Sequence, residues 1–596
     1  MKFKICFILL SLSLIQCLKG PTDAIKIVFL TDDLKVLGGT KGEEYTTEGK
    51  TAVIQKSGEY VALGESEEGN IVITGSSVTL YLDNLNLASN KNAPIIVTKN
   101  SKNVKIINLE NTVLNDLEDK KTTTGECAVI KVGQNSTVSI ENQDILTLNG
   151  GCKSIIKGGK QASIVFEKGE GEYIINAQKT AIESDGLLQF DGGKFTIKSE
   201  NGDAIKSQPD DTDNDSLGKI LIKDGTFNIH SFNDAITAKN NIEILKGKFN
   251  ITTAGGQESE TYDENESAKG FKLTSSEEGC GILIHSGEFK VNTADDAFRS
   301  NRDITILSGN FNINTKDDAI CAKYDLVLGE KDALLDDLAV NIESSYEALE
   351  GMTITIYSGK IKVRAIDDGI NASGPEKQED PFDPGRRNNS GTNPGGWPFP
   401  GGDQPNPWGG NGGFDWRSMF TPNDSYIVSI QGGELHLFTD SDGIDSNGHI
   451  YLHGGKIYIF SEGTGPNEPI DHNGNFTLFD TEILGVGTKG LEAVHKGIHR
   501  GNQKYAFYQA QSKTVISKGQ MLEILDENDK LVKDGELTKD INYIFYTSKD
   551  LNDKYKFNLI DLNTKEKTTL QMTFGDPAEG KDDLDKIFNK KSEDKN

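Results

Sequence analysis

Between residues 70 and 500 the apolar side chains come in short runs on alternate positions, and most runs start just after a glycine. The clearest are DGGKFTIKS from residue 191, KDGTFNIHS from 223, LKGKFNITT from 245, HSGEFKVNT from 285, LSGNFNINT from 307, YSGKIKVRA from 357, QGGELHLFT from 431 and HGGKIYIFS from 453. Period two is the mark of a strand with one buried face. An apolar residue lies two positions after each glycine and another two later, so both point to the same side. Glycine accepts positive φ or a tight bend, so each of these strands begins at a corner.

After most strands comes a second motif: NGDAIKS with Asp203, FNDAITA with Asp234, ADDAFRS with Asp296, KDDAICA with Asp318, IDDGINA with Asp368 and SDGIDSNG with Asp442. Weaker versions are KGFKL at 269, EALEG at 347, EPIDHNG at 468 and KGLEA at 489. The apolar residue that follows recurs from Phe298 to Ile320, a step of 22, and from Leu349 to Ile370, a step of 21. One unit therefore holds three short strands and no helix. Such a unit buries its apolar face only against its neighbours, which predicts an all-β, right-handed, single-stranded parallel β-helix. Propeller blades need about twice the length, and a stack of hairpins would not repeat its corner chemistry.

This rhythm divides the chain. Residues 1–19 read as a secretory signal, with Lys2 and Lys4 ahead of an apolar run from Ile5 to Ile15 that is too short to span a bilayer. Residues 20–70 are an N-terminal β segment or cap and residues 71–500 the helix. A Pro/Gly-rich stretch at 373–422 cannot be a strand turn and loops out of it. Residues 501–578 lose the corner glycines and predict a small antiparallel β unit covering the open end of the solenoid. Residues 579–596 are charged on both signs and predict disorder, with neither a membrane helix nor a lipid-anchor signal.

Net charge of -28 excludes nucleic acid or an anionic membrane as the partner and leaves cations or glycans. Sequons at Asn135, Asn214, Asn250, Asn265, Asn371, Asn388, Asn423 and Asn475 fit an exported, secreted or cell-surface glycoprotein. Beyond the leader four cysteines remain, Cys127, Cys152, Cys280 and Cys321. For Cys127 and Cys152, which hold similar places in successive segments, a disulfide and two free thiols are both open.

Stacked turns put equivalent residues about 4.8 Å apart, where two carboxylates repel by roughly 3–4 kcal/mol at an effective dielectric of about 20. Protonation, solvent screening or a bridging divalent cation would offset this. Calcium suits the third answer, because it takes six to eight oxygens from carboxylates, carbonyls and amides, and Asn371, Asn447 and Asn473 add the amides. Zinc is disfavoured, since the His and Cys residues lack ligand spacing. The plain alternative is an Asx turn, in which each aspartate accepts a bond from its own backbone two residues on. It leaves one member of the doubled pairs Asp295-Asp296, Asp317-Asp318 and Asp367-Asp368 unexplained. DTDNDSLG at 211 and DENDKLVKDGEL at 526 lack the glycine and glutamate of an EF-hand loop.

The GGxIxI strands, the SDDGI-like corners, the run SDGIDSNGHIYLHGGKIYIF and the Gly/Pro-rich interruption together resemble a family of carbohydrate-binding domain-containing proteins, the calcium-containing, cellulose- and pectin-binding parallel β-helices. The resemblance spans roughly residues 70 to 580. It implies a protein that binds plant-type polysaccharide without cleaving it, with calcium at Asp295, Asp296, Asp317, Asp318, Asp367, Asp368, Asp442, Asp445 and Asp471. This chain departs from the pattern in having Ala297 and Ala319 where glycine is commoner, and in lacking the acidic pair at residues 269 to 271.

Three functions compete. The first is an exported, non-catalytic polysaccharide-binding protein. All three tryptophans, Trp397, Trp408 and Trp416, lie in the inserted stretch, where they either pack on sugar faces or anchor the insertion to the scaffold. The second is a calcium-dependent polysaccharide lyase of the pectate type with Arg299 or Arg364 as base. The third is a structural or adhesive surface solenoid.

Overall fold

The computed structural model describes residues 19–90, 92–117, 128–150, 153–209, 217–263, 266–373, 422–461, 467–488, 498–510 and 515–578. The leader, Cys127, Cys152, the Asp211 stretch, Asn214, Asn265, Asn388, the three tryptophans and the charged tail lie outside the described residues.

The body is a parallel β-helix with three strands per turn. One turn consists of a short strand, Phe298–Ser300, a middle strand, Asp303–Ile306, and a long strand, Gly309–Thr315. Each pairs in parallel with its counterpart one turn on, and the register sets Phe298 beside Ile320 and Thr293 beside Thr315. The step of 22 residues is therefore one circuit. Parallel stacking begins with Ile25–Phe29, which pairs in parallel with Gly58–Ser66 and forms an antiparallel hairpin with Leu34–Leu37, and with Thr51–Ile54 on Asn70–Ile73. It runs on to Ile470–His472 in the short sheet and Glu482–Gly487 in the long one. Across residues 374–421 the register holds: Ile370 sits beside Ile444, and Ile361 beside Leu435.

Inward positions make a continuous apolar column. Its most regular part descends from the residue two after each corner glycine. Tyr173, Phe195, Phe227, Phe249, Phe289 and Phe311 stack face to face with successive ring centroids 4.6, 5.0, 5.0, 4.8 and 4.4 Å apart. That is the strand spacing itself, so backbone pairing and ring stacking reinforce each other. The glycines make this approach feasible. Gly287 has φ of +147°, and a Cβ there would lie 2.7 Å from the Phe289 ring.

The ladder ends where Tyr543–Thr547 pairs antiparallel with Glu482–Gly487 and covers the last long strand. A separate antiparallel sheet of Leu531–Glu536, Gln520–Leu525, Lys556–Asp561 and Lys567–Thr569 packs Leu522, Ile524 and Phe557 against Tyr458, Leu484 and Val486. The Asp526 stretch is the turn of this sheet, its carboxylate accepting from Asn528 N (2.8 Å) and Lys530 N (2.9 Å). Among the described residues no helix is long and apolar enough to cross a membrane.

Candidate functional site

The corner motifs form two adjoining columns along one edge of the short sheet. The first, two residues before each short strand, runs Asp203, Asp234, Lys269, Asp296, Asp318, Glu347, Asp368, Asp442 and Glu468. Each of their carbonyls accepts from a backbone N–H of the preceding turn at 2.8–3.3 Å. The second, at the central outward position of the short strand, runs Lys206, Thr237, Lys272, Arg299, Cys321, Glu350, Asn371, Asp445 and Asp471 in direct register. The small residue between columns, such as Ala297, Ala319 or Gly369, is inside the wall; a Cβ on Gly369 would lie 2.7 Å from Gly443 O.

The corner carboxylates do not make the Asx turn on their own backbone. Instead Oδ1 reaches one turn ahead. Asp234 accepts from Lys269 N (2.9 Å), Asp296 from Asp318 N (3.2 Å), Asp318 from Glu347 N (3.2 Å), Asp368 from Asp442 N (2.9 Å), and Asp442 from Glu468 N. One oxygen thus clamps successive turns and the other is left for a cation.

In the first half of the ladder the protein supplies that cation. Lys206 pairs with Asp203 at 2.8 Å and Lys272 with Asp234 at 2.9 Å. Asp295, Asp296 and Asp317 come together within 4.8 Å, and the Lys269 ammonium joins them, bonding Asp295 and lying 2.8 Å from Asp296. Asp295 also accepts from Tyr262 Oη at 3.1 Å. Against the effect of burial, the Lys269 charge holds the Asp295 carboxyl below the usual range. Arg299 comes next, 3.8 Å from Asp296, 3.8 Å from Asp318 and 3.7 Å from Glu350, and donates to the buried Cys321 thiol. Asp318, Cys321 and Glu350 form a second cluster around it.

Past Arg299 the aspartate corners meet no further Lys or Arg among the described residues. Asp442, Asp445 and Asp471 gather within 4.8 Å of one another, and among the described residues none of them has a Lys or Arg partner. Asp367, half-buried beside Asp368, sits one turn beyond Tyr346, whose backbone carbonyl accepts from Asp367 N at 2.9 Å. Burial, and then the charge on Asp367, pushes Asp368 up to about 7. Burial and the Asp368 charge push Asp442 up to about 9, and burial with Asp368 and Asp471 raises Asp445 well above the carboxylate range. Two oxygens between the clusters, Asn371 Oδ1 and Glu347 Oε2, are buried without a hydrogen-bond donor, although Asn371 Nδ2 donates to Glu347 Oε1 at 2.9 Å. A cation bound by oxygen alone matches this set; a soft metal does not.

The sequence placed the nine aspartates on one edge, and the structure brings six of them into two three-carboxylate clusters, with Asp318 in a third. It did not identify Lys269, Lys272, Glu347, Glu350 or Glu468 as members. The signal was present, since each occupies the corner or strand position of a weak copy of the motif. Arg364 lies elsewhere, on the long sheet, with its guanidinium 5.9 Å from the Phe438 ring.

Comparison with known proteins places the fold and corners in a family. The family described as carbohydrate-binding domain-containing protein matches residues 48–319 and 275–378, a span that includes the Asp295, Asp317 and Asp367 corners and stops before Asp442. A solved structure, described as that of the polysaccharide lyase-like protein from C. thermocellum as a gadolinium derivative, is 22% identical. It covers 45% of this chain and 100% of its own, with a TM-score of 0.35. No curated protein matches the chain. With more than half its length matched, the chain belongs to the carbohydrate-binding domain-containing protein family.

Proposed function

We propose that this is an exported, non-catalytic polysaccharide-binding protein that holds calcium at the C-terminal half of its acidic ladder, centred on Asp442, Asp445 and Asp471 with Asp368 beside them. The observation that carries the reading is the break in charge compensation at Arg299. Up to that turn each corner carboxylate but one meets a lysine or arginine within 3.8 Å, or shares Arg299. Beyond it Asp368, Asp442, Asp445 and Asp471 stack with no Lys or Arg partner among the described residues, at a spacing where each pair costs roughly 3–4 kcal/mol. A divalent ion would remove that cost and take up the orphaned oxygens nearby. The Asp295, Asp296 and Asp317 cluster, already holding Lys269, would bind an ion only by displacing it.

Membership in a carbohydrate-binding family supports the glycan, and the environment of Arg299 supports binding over lyase chemistry. A base must give up its proton first, and three carboxylates within 3.8 Å hold this guanidinium as a cation. The test is a glycan pull-down panel, cellulose and pectin included, with calcium or chelator, alongside an assay for unsaturated sugar ends. Retention on a glycan without new ends is expected. Unsaturated products would replace the reading with a lyase, and no retention on any glycan would leave a structural solenoid.

A further inference from the structure

The acidic edge is one face of the prism; the long sheet presents another, of different chemistry. Its middle outward column reads Asn228, Asn250, Lys290, Asn312, Asn341 and Lys362 on successive turns. The amides are linked in pairs, Asn250 Nδ2 donating to Asn228 Oδ1 at 2.8 Å and Asn341 Nδ2 to Asn312 Oδ1 at 3.2 Å. Part of this column floors an open trough of about 430 Å³, walled by Thr226, Lys248, Glu288 and Asn310. That volume is in the range of small-molecule sites and holds a few sugar rings.

In a chain of net charge -28, this stripe carries two exposed lysines, Lys290 and Lys362, for which no ion pair exists among the described residues. Lys248, at the wall, is paired with Glu288 at 2.8 Å. Carboxamides each offer donors and an acceptor, which is what a surface of sugar hydroxyls requires. The rungs are about 4.8 Å apart, close to the rise of one pyranose in an extended chain. A polysaccharide lying along the helix axis would therefore meet one amide or ammonium per sugar. The two lysines stand three turns apart, so carboxylates at a matching interval would face both.

We infer that this trough, with the column that continues past it, is a binding site for an extended, uronate-bearing polysaccharide chain that runs across the long strands, its hydroxyls on Asn228, Asn250 and Asn312 in the trough and on Asn341 one turn past it, its carboxylates on Lys290 in the trough and Lys362 two turns past it. The inference rests on the glycan-binding reading but not on the calcium site, which occupies a different face. Asn250 also stands in a sequon, and a glycan attached there would fill the trough, so protein from a host without N-glycosylation is required.

The experiment is calorimetric titration of the full chain with oligogalacturonides and, separately, with neutral cello-oligosaccharides. The variants are Lys290→Ala/Lys362→Ala, Asn312→Ala/Asn341→Ala and Asp445→Asn. The substituted side chains of the column all point outward, and an unchanged thermal midpoint verifies folding. At least a tenfold loss of oligogalacturonide affinity in both trough variants, with the lysine variant also losing salt sensitivity, is the expected result. Wild-type affinity in the trough variants, or loss in Asp445→Asn alone, overturns the trough and leaves the glycan reading intact. Equal loss for neutral and acidic sugars in the lysine variant overturns the uronate assignment, and a wild-type chain that binds no sugar overturns both.

Discussion

Removing the Lys269 ammonium tests whether internal cations hold the first half of the ladder. In Lys269→Met the aliphatic stem is kept, so packing changes little, but Asp295 and Asp296 lose their shared partner. The lysine side chain is 17% exposed and those of the two aspartates 9% and 2%. At this burial, removing one partner of an ion pair costs about 3–5 kcal/mol, against about 0–1 kcal/mol for a solvated pair. Arg299, 3.8 Å from Asp296, is too far to take over fully. The predicted loss at pH 7 in chelator is therefore about 3–5 kcal/mol. The pH sign follows from the shifts. Asp295 is held low and Lys269 high, so the pair stabilises the fold above the ordinary aspartate value and ceases to do so as pH falls through the folded Asp295 value. The gap between wild type and variant should accordingly close in acid. Because a solenoid can open locally, hydrogen exchange over Phe298–Ser300 and Phe271–Leu273 should be read beside urea denaturation. A loss below about 1 kcal/mol would refute the argument, since it would mean the pair behaves as solvated. Added calcium should restore much of the loss, the Asp295, Asp296 and Asp317 cluster having lost its ammonium.

Further outcomes follow from the same structure. In chelator, Asp368 and Asp442 have folded values near 7 and 9, above the unfolded value of about 3.9. Their contribution is thus a loss of stability as pH rises from about 4 toward 9, and the stabilisation given by calcium should grow across that window, as thermal melts at fixed calcium would record. Phe289→Ala removes a ring stacked 4.8 Å from Phe249 and 4.4 Å from Phe311, and should cost about 3–5 kcal/mol in denaturation. Gly287→Ala puts a Cβ against that ring at positive φ and should cost about 1–3 kcal/mol.

The helix was legible because its signal is local and repeated. Phe298, Ile320, Leu349 and Ile370 mark one position on successive turns, and the register confirms each step. The glycine before each long strand gave the corner, whereas the face-to-face stacking of the aromatics two residues on emerged only from the register of the turns. What the aspartates bond to was not legible. An Asx turn and a bond to the next turn's N–H demand the same residue, and only the stacking of corners decides between them. Lys269 was read as a departure from the acidic pattern. Its role depends on reaching across to Asp295, 26 residues on, a contact that no alternation of residues records. The same holds for Arg299, whose carboxylates come from three different turns.

The central claim, that protein cations compensate the ladder as far as Arg299 and calcium does so beyond it, is tested most directly by calcium titration of the chelated chain and of Asp442→Asn/Asp445→Asn. Calorimetry should show wild type binding calcium with a rise in thermal midpoint, while the double variant is more stable than wild type in chelator and no longer responds to calcium. A wild-type chain that binds no calcium, or a double variant that responds as strongly as wild type, would contradict the account.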